Sequence, residues 1–175
     1  SYPKIVRIGV DRPRRHPLNA CTDACFNITH SSFKENFEDI LNESKKLGVD
    51  YFFCPAAEKK DINEVIKFSS TYKEISCGIG IHPHHANEVD SELIKKLETL
   101  IIQENISAIG EIGLDYYRDF QQKITQQESF EMQLKLASDH KMPVFLHNRE
   151  AFKDFYSINT PSGEKNFEIL DVEYV

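Results

Sequence analysis

The segment ISAIGEIGLDYY, residues 106–117, governs how the rest of this sequence is interpreted. It begins with a short apolar run that is typical of a buried strand. An acidic residue, Glu111, then follows between Gly110 and Gly113. A carboxylate that closes a hydrophobic strand is costly to bury unless it is paired or bound to a cation, and glycines let a backbone turn and a ligand approach closely. The segment alone leaves two interpretations open: a strand end with a solvated carboxylate, or a strand that presents Glu111 to a ligand.

Length and composition indicate one soluble globular domain. The chain has 175 residues, of which 40% are hydrophobic and 28% charged. No apolar run approaches the roughly 20 residues of a membrane helix, and no signal-peptide pattern is present. Because the first residue is Ser1, we expect a processed chain or a piece of a longer one. The net charge of −7 argues against bulk coating of nucleic acid but leaves a nuclease open, since bound metal ions neutralise phosphate locally.

The first twenty residues predict an irregular basic lead-in. They contain three prolines and the basic residues Lys4, Arg7, Arg12, Arg14 and Arg15. We interpret this run as a solvated tail, with nucleic-acid contact as the alternative. The spacing of the four cysteines matches no zinc framework, and Cys54 and Cys77 lie in apolar runs where free thiols behave as small hydrophobes. A cytoplasmic or nuclear location is therefore predicted.

Strand-like and helix-like segments alternate along the chain. Strands are predicted at residues 24–28, 49–54, 75–81, 106–111 and 142–146. Helix starts are predicted at three pairs with capping spacing, namely Ser32 with Glu35, Asp61 with Glu64, and Thr125 with Glu128. Such alternation predicts a parallel sheet, and no phosphate-cradling glycine motif follows the first strand. The predicted fold class is α/β, a partial (β/α)8 TIM-type barrel of about five parallel strands with outer helices.

Polar residues end three of the predicted strands: His82, Glu111 and His147. In a (β/α)8 barrel the carboxyl ends of the strands form the active site. We therefore expect Glu111 and His147 to point into one cleft, with His82 at its edge. His84 and His85 are predicted to be exposed loop residues.

Asp115 and the glutamines near the start of the fourth predicted helix are also interpreted. Asp115 either orients Glu111, pairs with Arg149, or serves as a plain turn residue. The pairs Gln121–Gln122 and Gln126–Gln127 indicate an exposed helix start.

Three segments resemble signature stretches of the TatD-related deoxyribonucleases, which belong to the metal-dependent amidohydrolase superfamily of barrels. They are GIHPHHA at 80–86, IGEIGLDY at 109–116 and PVFLHNREA at 143–151. The resemblance covers residues 21–158, which we predict to be the domain, and residues 159–175 are predicted to be an unrelated tail.

The resemblance implies hydrolysis of DNA phosphodiester bonds from 3′ to 5′, with DNA as the substrate. It also implies that Glu111 bridges two divalent ions (Mg²⁺, Mn²⁺ or Zn²⁺) and that His147 is a metal ligand. We predict catalytic roles for Glu111, His82 and Arg149. Arg149 would hold a phosphate bidentately, and a salt bridge to Glu150 is the alternative.

Two departures from the family pattern leave the activity open. Cys25 and Asn27 replace the two histidines that bacterial members carry on the first strand, and we expect Cys25 to pack in the core rather than to bind a soft ion. No residue after Ile158 resembles the later histidine and aspartate ligands.

Three functions are therefore kept open. They are a nuclease, a truncated inactive relative acting only by binding, and another hydrolase of the superfamily. We expect the 175-residue chain to hydrolyse DNA poorly or not at all, and to self-associate through an open barrel edge.

Overall fold

The computed structural model describes residues 21–23, 25–30, 33 and 36–159. The predicted lead-in at residues 1–20, with its basic cluster, lies outside the described residues. The same is true of Ser32, Glu35 and the predicted tail apart from Asn159. Within the described ranges, no helix is long and apolar enough to cross a membrane.

Five parallel strands form one sheet in the order of the sequence. The strands are β1 Cys21–Asp23, β2 Val49–Pro55, β3 Ile75–Ile79, β4 Ala108–Asp115 and β5 Val144–Arg149. The helices between and after them are α1 Phe37–Lys46, α2 Ile62–Thr71, α3 Ser91–Gln103, α4 Lys123–Asp139 and α5 Phe152–Asn159, with a kinked 3-10 segment Pro83–Glu88 before α3. A doubly wound sheet reverses its strand order, whereas a (β/α)8 barrel does not. The predicted fold class, five units of a TIM-type barrel, is confirmed.

The core lies between the sheet and the helices that follow its strands. Ile79, Ile109, Ile112 and Leu114 are all fully buried, as the continuous apolar runs of a parallel sheet require. On the helix side, the rings of Phe130 and Phe155 stack with centroids 5.2 Å apart. Cys54 and Cys77 are buried free thiols, as predicted from their apolar runs.

The first strand lies earlier than predicted. Residues 24–28 were expected to form it, but the strand is Cys21–Asp23, and residues 25–30 contain no strand, although the backbone N–H of Phe26 still donates to the carbonyl oxygen of Phe53 in β2 at 3.0 Å. The Asp23 carboxylate accepts the backbone N–H of Cys25 at 3.2 Å, and such local bonds compete with a strand ladder. Phe26 and Ile28 are nevertheless buried. The apolar alternation at residues 24–28 therefore predicted burial correctly but not strand structure.

Candidate metal centre

Glu111 lies in the middle of β4, whereas the sequence predicted it at the end of its strand; Asp115 is the last residue of β4. The pairing of β4 with β5 is irregular between Ile109 and Ile112, where β4 holds one residue more than β5. A bulge of this kind re-aims side chains and is common next to active sites. Beyond it, strand alternation places Glu111, Gly113 and Asp115 on the same face of the sheet.

Two glycines of β4 allow β5 to approach. Gly110 has a φ of 150° and Gly113 a φ of 149°, conformations that L side chains rarely adopt. A Cβ on Gly113 would collide with the carbonyl oxygen of His147, and one on Gly110 with that of Phe145. The glycines therefore serve the close contact between two strands, which brings His147 beside Glu111.

His147 bridges the two acidic residues of β4. It is the register partner of Gly113, which has no side chain to block it. Its Nδ1 lies 3.1 Å from Oε1 of Glu111 and its Nε2 lies 3.2 Å from Oδ2 of Asp115. Burial by itself would lower the pKa of His147, but the hydrogen bond and charge of Glu111, together with Asp115, raise it above its usual value. The two carboxylates therefore favour the protonated form of His147.

The pKa of Glu111 shows the other side of this contact. Burial by itself would raise it, but the hydrogen bond from His147 and the neighbouring His82 lower it overall. Glu111 is therefore ionised and able to act as a metal ligand.

Asp115 orients the histidines rather than pairing with Arg149. Its side chain is 1% exposed, and its Oδ2 lies 2.8 Å from Nε2 of His84. Its Oδ1 accepts the backbone N–H groups of Tyr117 at 3.1 Å and Arg118 at 2.9 Å, so it is also a turn residue. Burial would raise the pKa of Asp115, but these donors, Arg118 N–H foremost, lower it. An ionised Asp115 holds a proton on Nε2 of His147 and leaves Nδ1 to face Glu111.

His82 follows β3 and approaches the same space. Its Nε2 lies 4.0 Å from Oε1 of Glu111, which is too long for a hydrogen bond. Its Nδ1 accepts the backbone N–H of His84 at 3.2 Å, so the ring proton is on Nε2. Burial lowers the pKa of His82 to about 4, which keeps the ring neutral. His82 is therefore a neutral donor aimed at the space beside Glu111.

His84 belongs to the site, contrary to the prediction of an exposed loop residue. Its side chain is only 26% exposed, and its ring contacts the ring of Phe120 with centroids 4.8 Å apart. His82 and His84 are alternate residues of a segment that starts extended, and this spacing is the signal that could have placed both on one side.

Two buried glutamines of α4 hold the strand ends in place, although Gln126 was predicted to be exposed. Gln126 accepts the backbone N–H of Asp115 at 2.8 Å and donates to its carbonyl oxygen at 3.1 Å. Gln133 bonds in the same way to the N–H and carbonyl of Ile81, the residue before His82. Both are at most 1% exposed. Their seven-residue spacing places both glutamines on the apolar helix face that carries Phe130, and this spacing could have predicted their burial.

Glu111 and His147 fit a divalent ion. The ligand atoms of His82, Glu111 and His147 all lie within 4.8 Å of one another. Two ligands bound to one ion at about 2.0–2.2 Å each are separated by about 3.0–3.4 Å, which matches the 3.1 Å between Glu111 and His147. His82 carries its proton on the nitrogen that faces Glu111, so it fits a hydrogen-bond donor better than a ligand.

Arg149 and Cys25 are two further residues that the sequence singled out. Arg149 ends β5, and its guanidinium carbon lies 4.0 Å from the ring centroid of Tyr117. Cys25 is exposed rather than packed in the core, and its Sγ lies 3.9 Å from Oε2 of Glu111. Packing around the sulfur and then the charge of Glu111 raise the pKa of the Cys25 thiol to about 12, so it keeps its proton.

Comparison with known proteins gives consistent matches. The family described as TatD related DNase matches residues 22–170. A protein of Pantoea ananatis named 3′-5′ ssDNA/RNA exonuclease TatD is 30% identical over 140 residues, which is 79% of this chain and 54% of that protein. A protein of the same name from Cronobacter turicensis is 31% identical over 143 residues, covering 82% of this chain and 54% of its own length.

A solved structure agrees with the fold. The crystal structure of YJJV, a TatD homologue from Escherichia coli K12, superposes with a TM-score of 0.72 at 26% sequence identity. The match covers 79% of this chain and 54% of that one. The chain thus spans about half the length of the curated relatives it matches.

Proposed function

The chain belongs to the TatD related DNase family, and from this premise we propose that its candidate metal centre serves the metal-dependent hydrolysis of phosphodiester bonds at the 3′ end of single-stranded DNA. The observation that carries the proposal is the 3.1 Å separation of Glu111 Oε1 and His147 Nδ1, with Asp115 behind the imidazole. The chain spans about half the length of its relatives, so the proposal is restricted to the chemistry of this site.

Glu111 and His147 would hold the ion, either Mg²⁺, Mn²⁺ or Zn²⁺, and a second ion would share Glu111. A divalent ion supplies charge neutralisation at a phosphate and activation of water. Asp115 contributes by keeping the proton on Nε2 of His147, so that Nδ1 is free to coordinate once its own proton leaves.

His82 and Arg149 are proposed to bind the phosphate. The Nε2–H of His82 points into the space beside Glu111 without a hydrogen-bonded partner there, since the nearest carboxylate oxygen is 4.0 Å away. Arg149 ends the strand that carries His147 and offers the planar donor pair that suits a phosphate.

Two exposed aromatic residues beside these groups fit a single-stranded substrate. The exposed fractions of Tyr117 and Phe120 are 54% and 62%. Tyr117 contacts Arg149, and Phe120 contacts His84, so both lie next to the candidate centre. Unpaired bases stack on such rings without regard to sequence, which suits an exonuclease that reads no sequence.

The test is incubation of the purified chain with a 3′-labelled single strand and Mg²⁺ or Mn²⁺. We expect slow cleavage that needs the ion and is lost in Glu111→Ala. Tyr51→Ala, at an exposed position of β2 distant in sequence from the motif segments, is the matched surface control and should cleave as the unchanged chain does. Cleavage that survives Glu111→Ala would contradict the proposal.

The second candidate is a relative that binds metal and nucleic acid without hydrolysing the latter. The observation that favours it is Cys25, whose protonated thiol faces Glu111 where bacterial members carry a histidine. Two-metal catalysis needs a nearly complete ligand set. Metal binding that depends on Glu111, with no cleavage under any ion, would support this candidate over the first.

Two further expectations accompany the proposal. A cytoplasmic or nuclear location stays a prediction; the thiols of Cys54 and Cys77, which are register partners in β2 and β3 and remain unbridged, favour a reducing compartment. Self-association through the edge of the sheet stays a prediction, which sedimentation at several concentrations would test.

A further inference from the structure

A second group of three metal-capable side chains occurs among the described residues, outside the candidate metal centre. It consists of Glu58, His85 and Glu88, whose ligand atoms lie within 4.8 Å of one another. Glu58 comes from the loop between β2 and α2, and the other two come from the 3-10 segment Pro83–Glu88. Residues three apart in a 3-10 helix lie above one another, so His85 and Glu88 share a face.

Each carboxylate of this group is oriented by a donor that does not belong to it. The Lys60 ammonium bonds Oε1 of Glu58 at 2.6 Å, and the backbone N–H of Lys59 donates to Oε2 of Glu88 at 2.7 Å. One oxygen of each carboxylate is thereby held, and the other is left facing His85. Supporting bonds of this kind are typical of metal ligands.

The inner distances suit an ion better than direct hydrogen bonds. Nδ1 of His85 lies 3.5 Å from Oε1 of Glu88 and 3.9 Å from Oε2 of Glu58, both longer than a normal hydrogen bond. Ligands that share one ion are about 3.0–3.4 Å apart, so small side-chain movements would complete a site. The Lys60 ammonium offsets the charge of Glu58, and a divalent cation between the two carboxylates would neutralise Glu88 as well.

We propose that Glu58, His85 and Glu88 bind a divalent transition-metal ion of the Zn²⁺ class. One imidazole and two carboxylates are a donor set for Zn²⁺ or Mn²⁺ rather than for Ca²⁺, which takes oxygen ligands alone. The ion ties the β2–α2 loop to the segment that begins after His82 and contains His84. It therefore stabilises the backbone from which those two histidines reach the candidate metal centre.

The test is calorimetric titration of the 175-residue chain with Zn²⁺ in a background in which the first centre is disabled by Glu111→Gln and His147→Gln. We expect one equivalent to bind. Adding His85→Ala should weaken that binding at least tenfold, and so should Glu88→Gln, which keeps an acceptor for the Lys59 N–H. The matched control is His140→Ala. His140 faces one carboxylate rather than two, with its Nε2 3.2 Å from Glu98, so this change should leave Zn²⁺ binding unaltered.

Absence of Zn²⁺ binding in the folded background, or binding that neither His85→Ala nor Glu88→Gln weakens, would overturn the proposal. If the background does not fold by circular dichroism, the unchanged chain serves instead. There His85→Ala must remove one equivalent of Zn²⁺ while leaving Glu111-dependent binding in place, and retention of every equivalent would equally overturn the proposal.

Discussion

The two sides of the candidate centre differ sharply in how their residues are held. On the β4–β5 side, His147 bonds Glu111 and Asp115 at 3.1 and 3.2 Å, and Gln126 fixes the backbone of Asp115. On the β1 side, the Cys25 thiol lies 3.9 Å from Glu111. The first side is built from strands, a bulge and buried hydrogen bonds, whereas Cys25 lies in a segment without strand structure.

This difference indicates which side of the centre is able to hold a metal ion. A metal ligand must be held in position by groups that do not themselves bind the metal. Glu111 and His147 have such support, whereas Cys25 is exposed and keeps its proton. We therefore expect changes on the β4–β5 side to have large effects, and changes at Cys25 to have small ones.

The largest effect is expected for Gly113→Ala. The added methyl group would collide with the carbonyl oxygen of His147 at a φ of 149°, so β4 and β5 would have to separate. We expect a loss of about 4 kcal/mol in the free energy of unfolding, measured by urea titration. Gly48→Ala is the matched control, because Gly48 also has a positive φ but nothing within 4 Å of its added Cβ; it should cost only about 1–2 kcal/mol. Equal losses would show that the strand contact is not the cause.

The next largest effect is on Mn²⁺ binding, and it distinguishes the role of His147 from that of His82. His147→Ala should weaken Mn²⁺ binding at least about 100-fold, since it removes a ligand that is held by two carboxylates. His82→Ala should change Mn²⁺ affinity by less than about threefold, because its Nε2 carries the proton. Calorimetry of both variants gives the comparison. Similar losses in the two variants would make His82 a ligand and refute the assigned proton position.

Gln126→Leu tests the support behind Asp115. The change would remove the two hydrogen bonds that Gln126 makes to the buried N–H and carbonyl of Asp115, and we expect it to cost about 2–3 kcal/mol of folding stability. Gln127→Leu removes bonds to the half-buried Tyr116 hydroxyl and Asp154, and should cost less than about 1 kcal/mol because water can replace them. Thermal unfolding of the two variants measures both losses of folding stability. Equal losses would contradict the role of Gln126 in supporting Asp115.

The sequence predicted the fold well because its signals are local. Alternating apolar runs and helix patterns identify five strand-helix units, and their order needs no long-range information. The bounds were less accurate. Glu111 was placed at a strand end because the predicted apolar run stops there, whereas the backbone ladder continues to Asp115. Hydrogen bonding of the main chain does not depend on apolar side chains, so hydropathy marks burial and not the ladder.

The candidate centre was predictable in part. Glu111, His147 and His82 were named from their positions after apolar runs, and the structure brings the three together within 4.8 Å. The roles of His84 and Gln126 were not predicted. Their spacing indicates which face each residue occupies, but it does not identify their partners, which lie 31 and 11 residues away in the sequence. Asp115 was left among three alternatives for the same reason.

The smallest effect is expected where the two sides of the centre meet, in Cys25→His. The Cys25 sulfur lies 3.9 Å from Oε2 of Glu111, the oxygen that does not bond His147, so an imidazole at this position could reach an ion held by Glu111. A neutral imidazole gives up a lone pair at neutral pH, whereas the Cys25 thiol, with a pKa of about 12, does not. We expect Mn²⁺ affinity to rise about tenfold, a modest gain because position 25 is exposed and does not lock the new side chain in one conformation. Cys25→Ser, which keeps the size without adding a ligand of comparable strength, should leave the affinity unchanged. A histidine that gives no gain would mean that the β1 side does not face the ion, and that the centre consists of the β4–β5 side alone.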